Sequence, residues 1–212
     1  MKPYFYRTGL IVRLLFPNYL WKKETSTKTV YLTFDDGPTP LITEWVLEQL
    51  EEHNAKAAFF CIGRNISQNP QILRKVIESG HIIGNHTEKH LKGWDTDVAT
   101  YIESVKECSH KILQHVKTDL WFRPPYGKIK SSQARAIKKM DYKIVMWDII
   151  SGDYDKNFSP EDCLANLLKK IRPGSIIVFH DSAKAFDNLK YVLPKTLEFL
   201  KTNGYNCGAL TD

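Results

Sequence analysis

Groups able to bind a metal or move a proton stand at the ends of apolar, strand-like runs in this chain. Asp35-Asp36 follows Val30–Phe34, and His86 and His90 follow Ile82–Asn85. Arg123-Pro124-Pro125-Tyr126-Gly127 follows Leu120–Phe122, and His180-Asp181 follows Ile176–Phe179. Reactive side chains repeated at successive strand ends predict one shared site, since strands laid side by side bring those ends together.

Each group has its own chemistry. Successive side chains past a strand point in different directions, so one of the two carboxylates can bind a metal while the other handles a proton. Asp-Asp-Gly-Pro is also a common turn sequence. His86 and His90 stand at i and i+4, where two imidazoles on one face of a helical turn can grip one ion. This is not the H-E-x-x-H pattern, because position 87 is Thr and Glu88 comes one place later. With an aspartate from another strand end, two histidines make an open metal site with room for water or substrate. Pro124-Pro125 fixes two φ angles, so the segment either holds the Tyr126 N–H towards a developing oxyanion or is simply a polyproline turn. Arg123 can pair with a carboxylate, and Asp153 is the candidate. His180 is either a satisfied core residue or a general acid, and Asp181 either orients it or caps the next helix. His53, His81, His110 and His115 lack such settings and read as surface or packing residues.

The elements that must position these groups alternate. Runs rich in β-branched and aromatic residues are Val30–Phe34, Ala57–Ile62, His81–Gly84, Leu120–Phe122, Tyr142–Ile150, Ser175–Phe179 and Tyr205–Leu210. Helical stretches separate them: Leu41–His53, Gln71–Ser79 before a capping Gly80, Asp97–Val116, Ser131–Met140, a capped start at Ser159-Pro160, and Lys184–Thr202. Pro194 is expected to start the main part of that last helix. The alternation predicts an α/β fold with a mainly parallel sheet, either a barrel or an open doubly wound sheet. No Gly-rich phosphate loop follows the first strand, which argues against nucleotide binding.

Composition narrows the class. With 212 residues, 42% of them hydrophobic, the chain suits one domain with a sizeable core. The net charge of +6 is concentrated in residues 1–29, which carry six Lys/Arg and one Glu. The rest is nearly neutral, which argues against a nucleic-acid surface. Cys61, Cys108, Cys163 and Cys207 are widely spaced and read as reduced, packed thiols in a reducing compartment. Residues 1–27 form a basic, apolar segment ahead of a domain at 28–212. Within it a short helix at about Thr8–Phe16 is expected to pack on the domain. The alternative for residues 4–21 is peripheral contact with a membrane surface. Arg13 interrupts the apolar core a secretory signal needs, and no A-x-A follows, so a cytoplasmic or membrane-associated location is favoured over a secreted one.

Five ordered segments together resemble the motifs of the polysaccharide deacetylases, the NodB-homology, family 4 carbohydrate esterases. They are Thr33-Phe34-Asp35-Asp36-Gly37-Pro38, His86-Thr87-x-x-His90, Arg123-Pro124-Pro125-Tyr126-Gly127, Trp147 through Asp153-Tyr154, and Ile177-Val178-Phe179-His180-Asp181. The resemblance covers roughly residues 28–210. It implies a distorted (β/α) barrel of about seven parallel strands and a divalent metal, usually Zn2+, with Co2+ or another ion an alternative. It also implies hydrolysis of N-acetyl groups on an amino-sugar polymer or oligomer, giving acetate and free amine. An O-acetyl esterase or a non-catalytic carbohydrate-binding relative is the competing reading. By resemblance, Asp35 is the base, Asp36, His86 and His90 are the metal ligands, and Arg123 tethers the base. Tyr126 offers its backbone N–H, Asp153 pairs with that arginine, and His180 is the acid. Val178 or Phe179 would line the acetyl pocket, and Trp94 and Tyr154 are candidates for stacking on sugar rings. Two departures stand out: Tyr154 replaces the usual Trp, and Phe179 the usual Leu.

Overall fold

The structure is a computed structural model that describes residues 7–117 and 119–211. Its elements run α1 (Leu10–Leu15), β1 (Thr29–Asp35), α2 (Ile42–Glu52), β2 (Ala57–Cys61), α3 (Gly63–Gln68), α4 (Pro70–Glu78), β3 (Ile82–Asn85) and α5 (Val98–Leu113). They continue β4 (Trp121–Phe122), α6 (Ser131–Lys138), β5 (Lys143–Ile144), β6 (Ile149–Ile150), α7 (Pro160–Leu168), β7 (Ile176–His180), α8 (Phe186–Thr202) and β8 (Asn206–Cys207). Seven strands pair in parallel in the order β5-β4-β3-β2-β1-β7-β6, and β8 adds to β1. The sheet curls into a half-barrel clothed by helices, as the family resemblance implies.

The pattern of burial explains the curl. β1, β2 and β7 are apolar on both faces because both are covered. Phe34, Phe59 and Phe179 face the helices and pack with Val46, Leu50, Leu189, Val192 and Leu197. Tyr31, Ala58, Phe60, Trp121, Val145 and Ile176 form a separate inner cluster. Local signals fix several helix ends. Asp97 accepts the Thr100 N–H at 2.9 Å at the start of α5, and Ser159 accepts the Asp162 N–H at 3.0 Å before Pro160 opens α7.

Three expectations change. The run Tyr142–Ile150 is two strands at opposite edges of the sheet, β5 and β6. Between them the Val145 N–H goes to Phe122 in β4 and the Asp148 N–H to Ile176 in β7. One apolar run therefore crosses the seam where the half-barrel would close. Pro194 lies inside α8, where the buried apolar face running through Val192, Leu193 and Leu197 holds the helix together across the missing N–H. The N-terminal helix does form, at Leu10–Leu15, yet none of its residues is buried. Its flanks attach instead: Arg7 bridges Ile149, Leu20 bridges Val145 and Lys22 bridges Ser175, so residues 7–22 span the seam between β5 and β6.

Candidate active site and metal centre

Register places the reactive groups. In the parallel pairing of β1 with β7, Thr33 lies beside Val178 and Asp35 beside His180, so all four share the inner face. One residue past β1, Asp36 takes a left-handed conformation with φ 88°, which turns its carboxylate away from that of Asp35. Gly37 follows because no side chain fits there: a Cβ would lie 2.0 Å from Asp181 Oδ2.

Asp36, His86 and His90 converge, each offering a ligand atom within 4.8 Å of the others. Asp36 Oδ1 is 3.9 Å from His86 Nε2 and 3.3 Å from His90 Nε2. The histidines meet without a helical turn, contrary to the i, i+4 reading. Residues 86–90 form a loop with bends at Glu88 and Lys89, and Thr87 and His90 are left-handed at φ 66° and 54°. Asn85 Oδ1 accepts the Thr87 N–H at 2.8 Å and so stabilises the turn out of β3. His86 Nδ1 donates to the Arg123 carbonyl at 2.8 Å, which leaves the Nε2 lone pair free. Burial lowers the pKa of both imidazoles and keeps them neutral, the form a metal ligand needs. Asp36 Oδ1 is buried and has no hydrogen-bond partner among the described residues. An unpaired buried carboxylate oxygen facing two neutral imidazoles is costly alone and fits a divalent cation between them. Asn65 Nδ2 donates to the Asp36 carbonyl at 2.8 Å, a support with no sequence signal beyond its place just after β2.

Arg123 is fully buried and ties the site together. Its Nη1 donates to Asp35 Oδ1 at 2.6 Å and to Thr33 Oγ1 at 2.8 Å. Its Nε and Nη2 donate to the carbonyls of Val145 and Met146 at 3.3 and 2.9 Å. The expected pair with Asp153 does not form. Arg123 follows β4, on the far side of β1 from β6 and β7, and each of its three nitrogens already donates elsewhere. Asp153 instead holds His180, accepting from Nδ1 through Oδ1 and from the backbone N–H through Oδ2, both at 2.8 Å. Burial opposes a charge on His180, but the Asp153 carboxylate, with Asp36 and Asp35 further off, carries its pKa up to about 9.

Asp181 does not orient His180. It accepts the Gly37 N–H at 2.9 Å and the Thr43 hydroxyl at 2.6 Å, bracing the turn behind Asp36, and burial pushes its pKa up to about 8. Phe179 is not a pocket wall either. It is fully buried on the opposite face from His180 and stacks on Phe34 at 5.6 Å, while Val178 faces inward with Thr33.

Two aromatic rings touch the site histidines. Tyr126, left-handed at φ 59° and 60% exposed, lays its ring 4.6 Å from that of His90. Tyr154 meets His180 edge-on at 4.9 Å, with the Lys184 ammonium 5.4 Å over the Tyr154 ring. Trp94 is 57% exposed under the Lys128 ammonium at 5.1 Å.

Residues 22–145 match the family model described as polysaccharide deacetylase. A peptidoglycan-N-acetylglucosamine deacetylase of Bacillus cereus is 32% identical over 186 residues, covering 87% of each chain. A chitooligosaccharide deacetylase of Azorhizobium caulinodans is 36% identical over 163 residues, covering 72% of this chain and 73% of its own. The crystal structure of the Bc1960 peptidoglycan N-acetylglucosamine deacetylase superposes with a TM-score of 0.87 at 28% identity, covering 96% of this chain and 95% of that one.

Proposed function

The chain belongs to the polysaccharide deacetylase family, and we propose that it is a metal-dependent hydrolase removing N-acetyl groups from an amino-sugar glycan. The observation that carries this reading is the convergence of Asp36, His86 and His90 beside a second, independently tethered aspartate. Asp36, His86 and His90 would hold a divalent ion, in this reading Zn2+, whose Lewis acidity polarises the acetyl carbonyl and makes water more acidic.

The chain's own residues handle the protons. Asp35 accepts a proton from the attacking water, and the Arg123 guanidinium fixes the direction of its carboxylate. The Tyr126 backbone N–H, held by the stiff Pro124-Pro125 segment, donates to the oxygen that gains charge. One such donor is worth roughly 2.7–4 kcal/mol of transition-state stabilisation. His180, kept protonated by Asp153, gives its proton to the departing nitrogen, a step that typically contributes about 10²–10⁴ in rate. The exposed rings of Tyr126 and Trp94 and the half-buried ring of Tyr154 offer apolar faces to sugar rings.

The test is release of acetate and free amine from N-acetylglucosamine oligomers and from peptidoglycan by protein loaded with zinc. Asp35→Asn should keep its metal and lose about 10²-fold or more in kcat, whereas His86→Ala should lose both metal and activity. Acetate without amine would identify an esterase. Full activity in Asp35→Asn would refute Asp35 as the base.

A further inference from the structure

Among the described residues, the largest group of exposed apolar side chains lies on and beside α1, outside the site. Leu10, Ile11, Leu14 and Leu15 are 68–74% exposed, and Val12 and Phe16 are 41% exposed. Single exposed leucines need no explanation, but six apolar residues within one seven-residue stretch do. This stretch is firmly held. The Thr8 N–H and hydroxyl donate to the carbonyls of Asp148 and Trp147 at 3.0 and 2.8 Å. Arg13 pairs with the buried Asp148, and Trp21 Nε1 donates to the Phe16 carbonyl at 2.9 Å. The anchors are polar and face the domain, while the apolar side chains face out.

Cations border this face. Leu15 and Phe16 line one surface groove with Arg135 and Lys138 of α6. The Lys138 ammonium sits 5.2 Å over Tyr19, which stacks on Phe16. An adjoining groove along Pro17–Leu20 is bordered by Lys23, Lys138 and Lys143, with Asp141 its one acidic residue. We propose that α1 and this basic flank form a docking surface for an anionic lipid membrane, with the aliphatic side chains entering the acyl boundary and the ammonium groups meeting lipid phosphates. This combination of an apolar face and adjacent Lys/Arg is what interfacial attachment requires. A second protein copy fits less well. A specific protein interface buries about 800 Å² on each partner, more than a six-residue helix supplies.

The experiment is co-flotation of the full chain with vesicles of phosphatidylcholine containing about one third phosphatidylglycerol, beside vesicles of phosphatidylcholine alone. Binding to the anionic vesicles is expected, falling as salt rises. The double variant Ile11→Glu/Leu14→Glu should weaken it about tenfold or more, and Arg135→Glu/Lys138→Glu should weaken it on anionic vesicles only. These positions are on the surface and outside the site, so melting temperature and hydrolysis of a soluble oligosaccharide should stay unchanged in the Ile11/Leu14 variant. Failure to float with anionic vesicles at low salt overturns the proposal, as does flotation indifferent to both double variants. A wild-type dimer that Ile11→Glu/Leu14→Glu converts to monomer, by light scattering, assigns the face to a second copy and also overturns it.

Discussion

At the scale of single residues, the site divides its charges by what surrounds them. Fully buried His86 and half-buried His90 are desolvated and lose their protons, while His180 is held as a cation because Asp153 grips both its Nδ1 and its backbone N–H. In the proposed mechanism His86 and His90 are thus the neutral ligands and His180 the acid. The sign of the pH effect follows. With its pKa near 9, against an ordinary value of 6.5, His180 is protonated at neutral pH, and the acid is lost as pH rises through about 9. The stability it contributes is complete below about 6.5 and declines over the same rise. A pH–rate profile should therefore show a basic limb near 9. Asp153→Asn removes the charge and can accept only one of the two hydrogen bonds from His180, and burial then dominates, so the limb should move towards neutrality and kcat at pH 8 should fall. An unmoved limb would mean that His180 is not the group reported by it. Asp153 illustrates what sequence could not resolve. Its proximity to Arg123 or to His180 depends on which side of β1 it lies, and nothing in the residues 151–155 specifies that side.

At the scale of elements, the legible part was the alternation of apolar runs with helical stretches, and with it the parallel sheet and most helix positions. The illegible parts lay where a local rule met a tertiary one. A run of nine β-prone residues reads as one strand, yet Tyr142–Ile150 serves two edges because its backbone groups find partners first in β4 and then in β7. Two histidines four apart suggest a helix, yet left-handed Thr87 and His90 bring the rings together from a loop. Phe179 is a third case. Motif position alone puts it near the acetyl pocket, whereas strand alternation from Asp35 and His180 puts it with Phe34 on the helix-facing side. Phe179→Ala should accordingly destabilise the fold by about 3–5 kcal/mol through the cavity it leaves. In the folded enzyme kcat should change by less than about threefold, since no group touching substrate is removed. Urea denaturation and steady-state kinetics on the same sample separate the two. A loss of turnover with unchanged stability would return Phe179 to the pocket.

At the scale of the whole molecule, the half-barrel depends on how its seam is closed. β5 and β6 are the outer strands, and the chain between and around them is held by one buried carboxylate. Asp148 pairs with Arg7 at 3.2 Å, with Arg13, and with Arg172 at 3.1 and 3.2 Å, and it accepts the Ser175 hydroxyl at 2.7 Å. Arg7 and Arg13 belong to the N-terminal segment, while Arg172 and Ser175 lead into β7, so the carboxylate joins the first residues described to the strand that carries His180. The basic excess at the N-terminus is thus partly consumed inside the protein. Removing the carboxylate leaves three guanidinium groups without their counter-charge, but Arg7 and Arg172 are 34% and 40% exposed and water screens them, so the cost is about 1–3 kcal/mol. Asp148→Ala should lower the melting temperature by roughly 5 °C. The loss should be local before it is global. The Leu20 and Met146 amides, whose bonds to Ile144 and Leu20 lie along the seam, should exchange with deuterium faster, while the Phe34 and Phe59 amides in the central strands keep their protection. Equal acceleration throughout would mean that the hub supports the fold at large. An unchanged melting temperature would mean that the backbone bridges of residues 7–22 close the seam without it.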